Sequence, residues 1–230
     1  MKRNVTIVEP RAAGGIASNP FMIRGTARTF ENAVSLRVRD EKGQNLATGF
    51  TTATGDLGTF NPWEISLMLT THPGKRLTIE AFENSARDGA EESLVRVDVP
   101  YSVAKTKYTL FFHDSKRAPN DCSKVFPFVH EMPVSRSALR LVVEALMRGP
   151  SPAAKRQGAA SSFPQGSEVR SVTIRDGAAI VDFNERLANV GGACRAQAIR
   201  ASLDQTLTKL PGVKRVIVRS NGSEAVALQP

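Results

Sequence analysis

The sequence predicts two domains: an all-β immunoglobulin-like sandwich over residues 1–103, then a small α+β domain over 104–230 with the order β-α-β-β-α-β. Three observations carry this. Seven short runs rich in β-branched residues, several with strict alternation, fill the first hundred residues. The pattern changes around Tyr101 to Thr106, beyond which helical spacings mix with strands. Hydrophobic content of 41% with 23% charged residues is enough to bury a core in each half and is not the composition of a disordered chain.

The seven runs are NVTIVEP, PFMIRGTA, AVSLRVRD, NLATGFTT, WEISLMLT, KRLTIEAFE and LVRVDVP. Val34, Leu36 and Val38 share one face, with Ser35, Arg37 and Arg39 on the other; Leu77, Ile79 and Ala81, then Val95, Val97 and Val99, repeat the device. Successive strand side chains point to opposite faces, so a period of two buries one side of a sheet and wets the other. Turn residues separate the runs at Asp40 to Gly43, Gly55 to Gly58 and His72-Pro73-Gly74. Strands this short at this spacing predict an antiparallel sandwich, and it lacks the inter-sheet disulfide of antibody domains because no cysteine lies there.

In the second half TKYTLFFHD is a strand. SRSALRLVVEALMRGP is a helix with an apolar stripe of Leu139, Val142, Val143 and Leu146, capped by Ser135 or Ser137 and stopped by Gly149-Pro150. Ser151 to Gly166 reads as a long loop of small residues. EVRSVTIRDGAAIVDF is a hairpin with Asp176-Gly177 at a two-residue type I′ turn. GGACRAQAIRASLDQTLTKLPG is a second helix, with Ile199, Leu203, Leu207 and Leu210 on one face, and VKRVIVRSNG is a last strand. The order predicts two helices on one sheet of three or four strands.

No stretch approaches eighteen consecutive apolar residues, so no membrane span is expected. The start, MKRNVTIVEP, has two cations but no apolar run behind them and is not a complete signal peptide; the chain is either cytosolic or the exported part of a longer precursor. The net charge of +9 favours anionic partners: nucleic acid, lipid headgroups or acidic wall polymer. Cations occur as short pairs, Lys116-Arg117, Lys155-Arg156 and Lys214-Arg215, never as a run of five. Aromatics at 6% leave little for stacking on single strands, and no recognition-helix motif is present, so specific nucleic-acid binding is not expected.

Several ordered features resemble known families. Arg136 before the first helix, Gly149-Pro150 after it, FPQGSEVRSV entering the hairpin, Asp182-Phe183-Asn184 leaving it, and CRAQAIRASLDQTLTKLPGVKRVIVRSNG with Thr206-Leu207 resemble the GerMN domain of bacterial sporulation, germination and envelope lipoproteins. NPFMIRGTARTFENAVSLRVRDEKG and FENSARDG resemble the immunoglobulin-like domain associated with spore germination. One departure is GTFNPWEISL, where that family usually places an aromatic and then a Pro-Phe pair. The resemblance implies a ring-building-motif-like second domain, and an exported, non-enzymatic protein without cofactor or agreed catalytic residue.

Cys122 and Cys194 are the only cysteines. A catalytic thiol needs a base, and nothing marks His72, His113 or His130 as one. A Cys122–Cys194 disulfide is expected instead, in keeping with export. His113-Asp114 and His130-Glu131 match no metal-ligand spacing, so no metal is expected. Asp182 and Glu185 flank Asn184 as a possible acid–base pair on a glycan, although Asp182 most simply ends a strand by accepting backbone N–H groups. The expected binding surface is basic: Arg136, Arg140 and Arg148 on a helical side away from the apolar stripe, with Lys155 and Arg156 in the following loop. The expected function is an extracytoplasmic binding or assembly module of the envelope, lipid-anchored through a segment outside this chain. Its expected partner is an envelope protein, an anionic wall polymer or a second copy. The rival classes are an envelope glycan hydrolase and a cytosolic nucleic-acid binder.

Overall fold

The computed structural model describes residues 4–188 and 190–228; Lys2 and Arg3, the leading cations weighed above, lie outside them. The chain divides into two compact units, residues 1–106 with 132–136, and residues 107–131 with 137–230.

The first unit contains β1 (Val5–Glu9), β2 (Phe21–Ala27), β3 (Ala33–Asp40), β4 (Asn45–Thr52), β5 (Asn61–Leu67), β6 (Arg76–Asn84) and β7 (Glu91–Pro100). They form two antiparallel sheets, ordered β1-β2-β5 and β4-β3-β6-β7. The alternation read from the sequence sets the inward face: Ile23, Val34, Leu36, Val38, Leu77 and Ile79 are buried. Gly25 pairs with Trp63 across β2 and β5, and a Cβ there would come within 2.5 Å of the Trp63 ring. The indole is buried because its neighbour has no side chain, which accommodates the tryptophan departure. Two asparagines replace strand pairing where the chain turns. Asn19 donates to Leu69 O (3.0 Å) and accepts from Leu69 N (2.9 Å); Asn32 donates to Gly55 O (2.9 Å) and accepts from Asn61 Nδ2 (3.3 Å).

Glu80 alternates with core-facing Ile79 and Ala81, so it lies on the outer side of the four-stranded sheet. Arginines cover it: Arg37 at 2.6 Å, Arg96 at 2.7 Å and Arg39 at 3.1 Å leave the side chain 3% exposed. Burial opposes its ionisation, but hydrogen bonds from Arg37 and Arg39 and the nearby charge outweigh that and hold the carboxyl below its usual range.

The remaining elements are β8 (Lys105–Asp114), β9 (Val125–Pro133), α1 (Ala138–Arg148), α2 (Pro152–Gln157), β10 (Ala159–Ala160), β11 (Val169–Arg175), β12 (Ala178–Phe183), α3 (Ala193–Leu207) and β13 (Arg215–Ser220). Two three-stranded sheets, β10-β8-β9 and β11-β12-β13, replace the single sheet expected. Pro127 masks β9 in the sequence, because proline removes a ladder donor; β9 is an edge strand, where that loss is tolerated. The long loop expected after α1 contains α2 and β10. Ser151 caps α2 by accepting from Ala154 N (3.2 Å), and Gly158 ends it at φ 110°.

The stripe Leu139, Val142, Val143 and Leu146 is buried as expected. Ser137 stands at the N-cap of α1, but its side chain makes no cap hydrogen bond. Asp176 and Gly177 both take positive φ (50° and 73°), the type I′ combination the hairpin needs. Ile199, Leu203 and Leu207 are fully buried on α3, whereas Leu210 lies beyond the helix end and is half-buried. β12 runs antiparallel to β11 and parallel to β13. One face of this sheet, with Val181, Phe183, Val216 and Val218, is buried; α1 lies against β11 and α3, and α3 against β13. The other face carries exposed Ser171, Thr173, Arg175 and Arg215 around half-buried Ile180 and Ile217.

Candidate functional site

Cys122, in the turn-rich segment between β8 and β9, is bonded to Cys194 in the first turn of α3, with Cα atoms 5.2 Å apart. Neither is a free thiol. A second tether comes from Thr206, buried on α3, whose Oγ1 accepts the Phe111 N–H of β8 at 2.9 Å. A third is Arg140 of α1, which donates to Val169 O of β11 at 2.9 Å.

An open groove with a volume of about 730 Å³ runs beside the disulfide. Val216, Ile217 and Val218 of β13 form its floor, Ala196, Gln197 and Arg200 of α3 one wall, and Ser123, next to Cys122, borders it. Its carboxylates are already neutralised: Asp204 pairs with Arg200 (2.9 Å) and Glu224 with Arg219 (2.9 Å). Arg200 also donates to Val216 O at 2.9 Å, filling a carbonyl of the edge strand β13. That blunts the edge against strand addition.

The residues weighed for chemistry have other roles. His72, His113 and His130 each approach a backbone carbonyl, of Val103, Lys124 and Phe128 respectively. Burial pushes the His130 imidazole below its usual range. Asp182 accepts Gly222 N at 2.8 Å and holds the turn after β13. Asn184 binds Gly166 O and Glu168 N, closing the entry to the hairpin. No group of three or more His, Cys, Asp or Glu among the described residues is placed to hold a metal.

The residues of the basic surface expected from the sequence stand in different settings. Arg136 lies in the turn before α1, not on the helix. Arg140 is half-buried and engaged with Glu144 (2.8 Å) as well as Val169, so it is a structural tie; an arginine one helical turn before a carboxylate finds that partner first. Arg148 is exposed at the end of α1. Lys155 and Arg156 are exposed in the last turn of α2 rather than in a loop. Sequence reasoning missed a different group. Register places Arg175 of β11, Ala178 of β12 and Arg215 of β13 in one row across the sheet, with Lys214 beside them. The pair Lys214-Arg215 was visible; its convergence with Arg175 depends on strand pairing.

The two family-model matches agree with this architecture. A family model described as "Sporulation and spore germination" matches residues 109–226, and one described as "Immunoglobulin-like domain of bacterial spore germination" matches residues 4–90. Similar solved structures include the tandem GerMN domains of the sporulation protein GerM from Bacillus subtilis, at 24% identity over 52% of this chain and 40% of that one, TM-score 0.41. The first GerMN domain of the same protein matches at 24% identity over 51% of this chain and 84% of that one, TM-score 0.39. The chain thus spans 40% of the length of the tandem-domain structure. No curated protein matches it. The chain belongs to the sporulation and spore germination family, with its GerMN domain preceded by an immunoglobulin-like domain of bacterial spore germination.

Proposed function

We propose that the chain is a non-enzymatic binding or assembly module that works outside the cytoplasm, in the bacterial envelope. The observation that carries this reading is the covalent Cys122–Cys194 link, since such bonds form and persist in oxidising compartments and are rare in the cytosol. Family membership supports a role connected with sporulation or germination. The non-enzymatic part is supported by the neutralised carboxylates of the groove and by the structural bonds of Asp182, Asn184 and the three histidines. The net charge of +9 supports an acidic partner, an envelope protein or wall polymer, met by exposed cations. Arg140 is not among them.

The test is made on protein isolated from its native compartment. Alkylation before reduction, followed by peptide mass spectrometry, is expected to return the linked Cys122–Cys194 peptide, and crosslinking in intact cells is expected to capture an envelope component. Two alkylated thiols, or release of reducing sugar from peptidoglycan that is lost on Asp182→Ala, would overturn the reading.

A further inference from the structure

We propose that Arg175 and Arg215, on the solvent face of the β11-β12-β13 sheet, together with Lys214 beside the hairpin turn at its end, form a docking site for a linear acidic polymer. The inference rests on the envelope-binding reading and locates its surface. Arg175 and Arg215 flank Ala178 in register, so their side chains leave the same face. Two strand spacings separate them, about 10 Å. The Lys214 stem lies close to the turn: a Cβ on Gly177 would sit 3.2 Å from its Cδ.

The state of these side chains separates them from several other cations of the domain. Arg140, Arg200 and Arg219 are paired with Glu144, Asp204 and Glu224. Arg170 donates to Asn221, and Arg195 to Ser162 O. Arg175, Lys214 and Arg215 are exposed, and among the described residues their side chains have no ion-pair or hydrogen-bond partner. The neighbouring acid is Asp176 at the hairpin tip, also exposed, leaving an excess of two positive charges.

Geometry also favours this group over the α2 pair. Lys155 and Arg156 are adjacent on a helix and so point roughly 100° apart. Arg175 and Arg215, in one row across paired strands, instead present their charges in one direction on a backbone fixed by two ladders and a tight turn, so less ordering is needed on binding. Such a row suits a flexible chain with repeated carboxylates or phosphates, which engages charges one after another.

The experiment measures binding of the full chain to immobilised polyglutamate and, in a second arm, polyphosphate, at low and high salt. Arg175→Glu/Lys214→Glu/Arg215→Glu is expected to lose affinity at least about tenfold at low salt, three exposed pairs each contributing modestly. Lys155→Glu/Arg156→Glu is expected to stay within about twofold of wild type, since it changes net charge but not the row. Asp176→Asn, which keeps a residue tolerant of positive φ, is expected to tighten binding about twofold. The two arms decide whether carboxylate or phosphate is preferred. Wild-type affinity in the triple variant, an equal loss in the α2 double variant, no gain in Asp176→Asn, or stronger binding to a single-stranded DNA oligonucleotide of equal charge would each overturn the assignment. Should these fail while the disulfide and envelope capture persist, the docking site is wrong and the envelope reading stands; free thiols would remove the latter instead.

Discussion

Replacing both cysteines by serine tests how far the disulfide stabilises the GerMN domain. The bond closes a loop across a sequence separation of 72. In the chain-entropy model a loop of that length restricts the unfolded ensemble by about 4 kcal/mol. Cys194 is exposed and Cys122 half-exposed, so serine hydroxyls there reach water and add no desolvation penalty. The loss is therefore expected near the full entropic value. For a domain of this size that corresponds to a fall in Tm of roughly 15 °C. Differential scanning calorimetry of oxidised wild type, reduced wild type and Cys122→Ser/Cys194→Ser is the assay. The two forms lacking the bond should melt together, well below the oxidised protein. If the double variant melted within about 3 °C of oxidised wild type, Thr206, Arg140 and the apolar contacts would be holding α3 unaided, and the loop-closure argument would be refuted.

Three further outcomes follow from buried groups. Glu80→Gln should destabilise the sandwich by about 2–3 kcal/mol in urea titrations at neutral pH, because Arg37, Arg39 and Arg96 lose their shared anion. The folded carboxyl sits below its unfolded range, so its contribution is present above the ordinary glutamate value and disappears as pH falls through the folded one; wild type and Glu80→Gln should converge in stability on acidification. Thr206→Val keeps the shape but strands the Phe111 N–H, and should cost about 1–3 kcal/mol by chemical denaturation, with faster hydrogen exchange in β8. Gly25→Ala drives a methyl into Trp63 and Thr6 O and should cost about 3 kcal/mol, read from the tryptophan fluorescence transition; an unchanged midpoint would mean the indole moves aside freely.

Wherever one contact partner was enough to decide the outcome, local pattern was a sufficient guide. The period-two runs became β1 to β7, the Asp176-Gly177 turn took the φ values its composition favours, and the α1 stripe is buried. The candidate surface was less legible. Arg140 lies on the polar side of its helix by spacing, yet the structure commits it to Glu144 and to a carbonyl on β11. β9 escaped detection because proline opposes a strand on average, while edge position, a property of the sheet, removes the objection.

Sequence alone determined the two-domain organisation, the faces of the strands and helices, and the existence of one possible sulfur bridge, because each follows from periodicity, turn chemistry or the count of cysteines. Only the tertiary structure decided which cations are spent internally and which face solvent, where the sulfur bridge anchors α3, and how Arg175 joins Lys214 and Arg215 from forty positions away in the chain. Strand register and burial bring distant residues together or apart, and neither is a local property of the chain.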